Sequence, residues 1–82
     1  MSATVEIHLF AAARAAVGSP IVTVEPGCLQ GILDGLSAKH PDFARVRPQC
    51  SLLLDGIAVP RDADPQVAPG SQLDVLPPFA GG

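Results

Sequence analysis

Thr4-Val5-Glu6-Ile7-His8-Leu9-Phe10 alternates cleanly, with Val5, Ile7 and Leu9 on one face and Thr4, Glu6, His8 and Phe10 on the other. Period-two alternation of this kind predicts a strand that turns one face to a core and one face away from it. Near the other end of the chain, Leu73-Asp74-Val75-Leu76 has the same character, with Leu73 and Val75 sharing a face. Two one-sided strands need an apolar cover. Leu29, Ile32, Leu33 and Leu36 supply it, because their i, i+3, i+4, i+7 spacing makes a single stripe on a helix over residues 28–39. Burial of each of those side chains contributes roughly 1.5–3 kcal/mol before entropy is charged against it. Gly31 and Gly35 weaken the helix by up to about 1 kcal/mol each relative to alanine, so it depends on a sheet to pack against. Pro41 ends the helix, and Lys39 and His40 suit its C-terminal dipole.

The remaining segments fill in around this frame. Residues 11–18, Ala-Ala-Ala-Arg-Ala-Ala-Val-Gly, read as a helical turn stopped by Gly18. Ile21-Val22-Thr23-Val24-Glu25 is β-branched and alternating, a second strand within hairpin distance of the first, closed by Pro26-Gly27. Residues 42–50, with Phe43, Arg45, Arg47 and Pro48, read as a loop. Residues 51–59 read as a hairpin around Asp55-Gly56, with Pro60 confining the second arm to a short edge strand. Residues 61–71 form a connection with room for one turn of helix, in which Asp62 and Asp64, like Asp55, serve as turn and cap residues. The last strand covers residues 72–76. The order β-β-α-β-β-β predicts an α+β layer architecture, a mixed sheet of about five strands covered on one face by one main helix. It is compatible with first and last strands lying side by side and parallel, the β-grasp arrangement, although periodicity alone does not fix the strand order.

The chain has 82 residues, enough for one domain over residues 1–76 followed by an extended tail over residues 77–82. A domain of this size buries a little over about 60% of its extended-chain surface. The formal charge is −3 and no run of Lys or Arg occurs, which argues against nucleic acid and against an anionic membrane surface as partners. No stretch is apolar enough to span a membrane and the start lacks the pattern of a signal peptide, so the expected location is cytoplasmic. Cys28 and Cys50 are too few for a disulfide framework and are expected as small buried thiols, with Cys28 near the first turn of the helix and given no role. His8 and His40 are far apart and lack ligand-type neighbours, so no metal site is expected.

Pro77-Pro78-Phe79-Ala80-Gly81-Gly82 follows the last strand directly. Proline lacks a backbone N–H and fixes φ, so sheet pairing stops there and a stiff extended segment begins. Two glycines carry no Cβ, which lets a carboxylate at Gly82 pass through a narrow channel to a reacting group. The alternatives are a frayed end and a presented tail. Phe10 is a large aromatic on an outward face, either covered by a neighbouring loop or part of a partner surface with Leu76 and Phe79. Arg14 is either an ordinary solvated arginine or a partner-facing cation beside it.

Leu9-Phe10-Ala11-Ala12-Ala13-Arg14 with Val17-Gly18, the helix from Leu29 to Leu36, and the stretch from Gly70 to Gly82 together resemble the ubiquitin-like sulfur carriers of the MoaD/ThiS family, and within them the small subunit of molybdopterin synthase, MoaD. The departures are Ala15 where the family often has an acid, Ser71 where it usually has Asp, and Asp55 where Asn is common. They bear on partner preference and turn chemistry. The resemblance implies that a MoeB-like adenylyltransferase uses ATP to convert the Gly82 carboxylate to an acyl-adenylate, which a sulfur donor turns into a thiocarboxylate. A MoaE-like large subunit would then accept the tail in a hetero-oligomer and place the sulfur on a pterin precursor of the molybdenum cofactor, with no permanently bound cofactor on this chain. Gly82 is the reacting residue in that picture, and Phe10, Arg14, Leu76, Pro77, Pro78, Phe79, Ala80 and Gly81 are its partner-binding residues. The chain would be a non-catalytic, sulfur-donating subunit rather than an enzyme alone. Alternatives are sulfur donation toward cysteine, thiamine or another thiolated metabolite, a ubiquitin-like modifier joined to lysines, and an inert interaction domain.

Overall fold

The computed structural model describes residues 4–78. Strand β1 (Val5–Leu9) is followed by helix α1 (Ala11–Val17), strand β2 (Ile21–Val24) and a short strand β3 (Gly27–Cys28). Helix α2 (Leu29–Lys39) leads into helix α3 (Pro41–Val46) and a 3₁₀ turn (Arg47–Gln49). Strands β4 (Ser51–Leu54), β5 (Ile57–Ala58), β6 (Gln66–Val67) and β7 (Gln72–Leu76) complete the order.

Five of the strands form one mixed sheet in the order β2-β1-β7-β4-β5. β1 and β7, the outermost strands in sequence, lie side by side and parallel at its centre, with Ile7 opposite Leu73 and Leu9 opposite Val75. The other pairings in this sheet are antiparallel. The β-grasp arrangement suggested by the two alternating segments is therefore the one adopted. Val5, Ile7, Leu9, Leu73 and Val75 turn to the helix side and are buried together with Leu29, Ile32, Leu33 and Leu36 of α2. No buried polar side chain interrupts this core among the described residues.

Local chemistry explains the turns. Gly18 stops α1 at φ 87°, in the left-handed region, with its N–H on the Arg14 carbonyl at 2.8 Å. Asp55 (φ 50°) and Gly56 (φ 83°) are both left-handed, as a two-residue hairpin loop between β4 and β5 requires. β5 is an edge strand, as Pro60 predicts. Two acids close backbone gaps from a distance: Asp64 Oδ1 accepts from the Gln30 N–H at the start of α2 (2.8 Å), and Asp55 Oδ1 accepts from the Gln72 N–H (2.9 Å).

Three readings are corrected. Residues 42–50 are not a loop: Pro41 ends α2 and also opens α3 at its first helical position, where its missing N–H costs nothing. α3 carries Phe43, which is fully buried and is the largest such side chain. So α2, the main helix over the sheet, is joined in its layer by α1 and by the unexpected α3. Residues 61–71 hold no helical turn; β6 pairs there with β3 in a separate two-stranded ribbon, burying Val67. Cys28 is exposed and Cys50 half-buried, so neither is a fully buried thiol. Cys28 is both the end of β3 and the cap position of α2, where its side chain cannot face inward with Leu29. A Cβ at Gly31 would stand 2.9 Å from the Cys28 Sγ, so that glycine gives the thiol room.

Candidate functional site

Phe10 sits where three elements meet. Its N–H donates to the Val75 carbonyl of β7 (3.1 Å), extending the parallel ladder one step past β1. Its carbonyl accepts from the N–H groups of Ala13 (3.1 Å) and Arg14 (3.3 Å), starting α1. Ala11, immediately after it, has φ 52°, a left-handed conformation that costs a non-glycine residue on the order of 1–2 kcal/mol. That strained step turns the chain sharply away from the sheet and leaves the Phe10 ring 43% exposed instead of folding it into the core.

Leu76 ends β7 on the same outer face. The register pairs Leu9 with Val75, so Phe10 and Leu76 are the next residues on adjacent parallel strands. Leu76 is half-buried and lies opposite Ser51 of β4. Pro77 and Pro78 continue from it, both exposed and outside the strand. Arg14 is exposed on α1, and no carboxylate pairs with it among the described residues. The structure thus brings together Phe10, Arg14, Leu76, Pro77 and Pro78 at one end of the sheet, by the shared end of β1 and β7. Phe79, Ala80, Gly81 and Gly82 lie outside the described residues.

The outer face holds more than the sequence reading assigned to it. Ile21 of β2 stands opposite His8 and is 47% exposed. Leu53 of β4 stands opposite Asp74 and is half-buried. The signal for both was available, since strand alternation puts them out of phase with Val22 and Leu52, which are half-buried against the core. Between these apolar residues runs a polar strip: His8 Nε2 is 2.9 Å from Glu6 Oε1, and Gln72 Nε2 donates to Asp74 Oδ1 at 2.9 Å. His8 and Asp74 are register partners across β1 and β7. Phe10, Ile21, Leu53 and Leu76 thus give this face exposed or half-buried apolar side chains on either side of a polar strip, with a stiff dipeptide leaving its end. Among the described residues no group of His, Cys, Asp and Glu could hold a metal ion, and no helix is long and apolar enough to cross a membrane.

The ThiS family model matches residues 7–82. The chain belongs to the ThiS family. Small archaeal modifier protein 1 from Haloferax volcanii has a similar structure, with a TM-score of 0.74 at 27% identity over 95% of this chain and 100% of that one. A provisionally named molybdopterin converting factor subunit 1 from Pyrococcus furiosus superposes with a TM-score of 0.79 at 18% identity, over 95% of this chain and 100% of that one. Subunit 1 or 2 of the molybdopterin-converting factor complex from Helicobacter pylori gives a TM-score of 0.65 at 15% identity, over 96% of this chain and 99% of that one. No curated protein matches the chain significantly. The ubiquitin-like β-grasp fold of this ThiS-family chain is that of the sulfur carriers.

Proposed function

We propose that the chain is a sulfur carrier, the small subunit of a molybdopterin synthase, working through a free carboxylate at Gly82. The observation that carries this reading is the alignment of Phe10 and Leu76 at the common end of the two central strands, where the Pro77-Pro78 exit begins. A partner that grips the outer face by Phe10 and Leu76 receives the tail in a fixed direction. The prolines limit the entropy lost when the tail enters a channel. Arg14, exposed beside that exit, is available to a partner carboxylate.

In the proposed cycle a carboxylate oxygen of Gly82 attacks the α-phosphorus of ATP on a MoeB-like activating enzyme, and pyrophosphate leaves. A sulfide-level nucleophile supplied by a sulfur donor then attacks the acyl carbon, and the bond to AMP breaks, leaving a thiocarboxylate. A carboxylate is a poor electrophile until so activated, and glycine adds the least crowding around the carbonyl that becomes tetrahedral. A MoaE-like large subunit accepts the tail and transfers its sulfur to a pterin precursor. The proposal of a hetero-oligomer is supported by the H. pylori relative, which occurs as a complex of subunits 1 and 2.

A second reading is favoured by the likeness to a small archaeal modifier protein, namely attachment of Gly82 to lysines of other proteins. Lys39 is the single lysine here, so chains of copies would have one internal attachment point. Incubation with a MoeB-like enzyme and ATP separates an activated tail from an inert domain. Pyrophosphate release that depends on Gly82 supports activation, and release unaffected by deleting Gly82 contradicts it. Isopeptide-linked conjugates in place of sulfur transfer would favour the modifier.

A further inference from the structure

A cleft of about 430 Å³ opens on the helix side of the sheet, between the first half of α2, the 3₁₀ turn and the β4–β5 hairpin. Leu33, Leu52 and Val59 supply its apolar floor, and Arg47 and Arg61 line it too. No Asp or Glu lines it, in a chain with eight acids against five Lys and Arg. Two of those five cations are therefore gathered at one cleft of a molecule whose net charge is −3.

The two guanidinium groups are placed differently. Arg47 is held against α2, with Nη1 donating to Asp34 Oδ1 (2.8 Å) and Ser37 Oγ (3.2 Å) and Nη2 donating to Gln30 Oε1 (2.9 Å). These bonds leave its Nε–H and one Nη2–H free of intramolecular partners among the described residues, and Asp34 offsets much of its charge. Arg61 pairs with no carboxylate among the described residues. Its Nη1 donates to the Pro48 carbonyl, one residue beyond Arg47. Cys50 also lines the cleft; its Sγ donates to the Val46 carbonyl (3.3 Å), and burial pushes its thiol pKa up. A neutral thiol there does not repel an anion.

We propose that this cleft binds a small organic anion, a phosphate or carboxylate borne on an aromatic or aliphatic body. The acid is taken by Arg61 and Arg47 and the body lies over Leu33, Leu52 and Val59. Planar guanidinium forks suit both acids, and the volume is within the range that holds small ligands. Because the floor residues share the helix side of the sheet, an occupied cleft leaves the face of Phe10 and Leu76 free. The site is thus independent of the carrier reading.

The test is titration of the ¹⁵N-labelled full chain with phenyl phosphate, inorganic phosphate and phenol, read by amide shifts. Phenyl phosphate is expected to give saturable shifts at Ser51, Leu52, Val59 and Arg61, with inorganic phosphate and phenol each binding more weakly. Arg61→Gln is expected to weaken phenyl phosphate at least about tenfold while keeping the dispersion of a folded domain. Unsaturable shifts spread over the surface, equal affinity for phenol, or a folded Arg61→Gln that binds as tightly would overturn the proposal. So would an acidic hexapeptide that saturates the cleft more tightly than phenyl phosphate and shifts the edge of β5, since that assigns the cleft to a protein partner.

Discussion

The Phe10 N–H donates to the Val75 carbonyl across 3.1 Å, so the last rung between the two central strands is made by the residue that also starts α1. That single backbone bond fixes where an exposed aromatic stands relative to the strand that leads to the tail. In most sheets the end of a strand frays; here the end of β1 is tied to the end of β7 on one side and to a helix on the other. The exposed Phe10 and the strand that runs into Pro77-Pro78 are therefore held in one fixed register.

Phe10→Ala separates docking from folding. The ring is exposed, so its loss is expected to change stability by no more than about 0.5 kcal/mol, as for most surface positions. Affinity for a large subunit or activating enzyme is expected to fall by about 2 kcal/mol or more, the range for an aromatic anchor at an interface. Denaturant unfolding and calorimetric titration measure the two effects separately.

Phe43→Ala behaves oppositely. The side chain is fully buried between the helices, and its truncation is expected to cost about 3–5 kcal/mol. That is a large share of the roughly 5–15 kcal/mol that holds a small domain together. Urea unfolding should show a much lower midpoint, or no native baseline.

Gly35→Ala should stabilise. Gly35 is exposed in α2 and nothing lies within 4 Å of where its Cβ would be, so the gain in helix propensity, up to about 1 kcal/mol, meets no clash. A domain of this length should melt about 4–8 °C higher for each kcal/mol gained.

Cys50 makes stability depend on alkaline pH. Burial raises its thiol pKa above the unfolded value, so the folded state holds the proton more tightly. Its contribution is complete below the unfolded thiol's pKa, about 8.5, and is lost as pH rises through the raised folded value. Unfolding free energy measured from neutral pH upward should fall in that window, and Cys50→Ala should flatten the fall. Iodoacetamide at neutral pH should modify the exposed Cys28 before Cys50.

Much of this architecture was legible because its strands are one-sided. Val5, Ile7 and Leu9 against Glu6, His8 and Phe10 leave one register that buries the apolar set. The stripe from Leu29 to Leu36 named the covering helix for the same reason. α3 was not legible: six residues that begin at Pro41, with Phe43 as the one large apolar side chain, give no period to read. β3 and β6 are two residues each and exist because they pair with one another, a long-range event that no local pattern announces. At the site, the outward phase of Phe10 could be read from alternation. Its exposure beside Leu76 depends on the parallel pairing of β1 with β7, and on the left-handed Ala11 that follows.

The most direct test of the carrier account is the intact mass of the chain after incubation with a MoeB-like activating enzyme, ATP and a sulfur donor. The account predicts a gain equal to exchange of one oxygen for one sulfur, located to Gly82 and absent when Gly82 is deleted. An unchanged mass under conditions in which that enzyme thiolates its own carrier would contradict it.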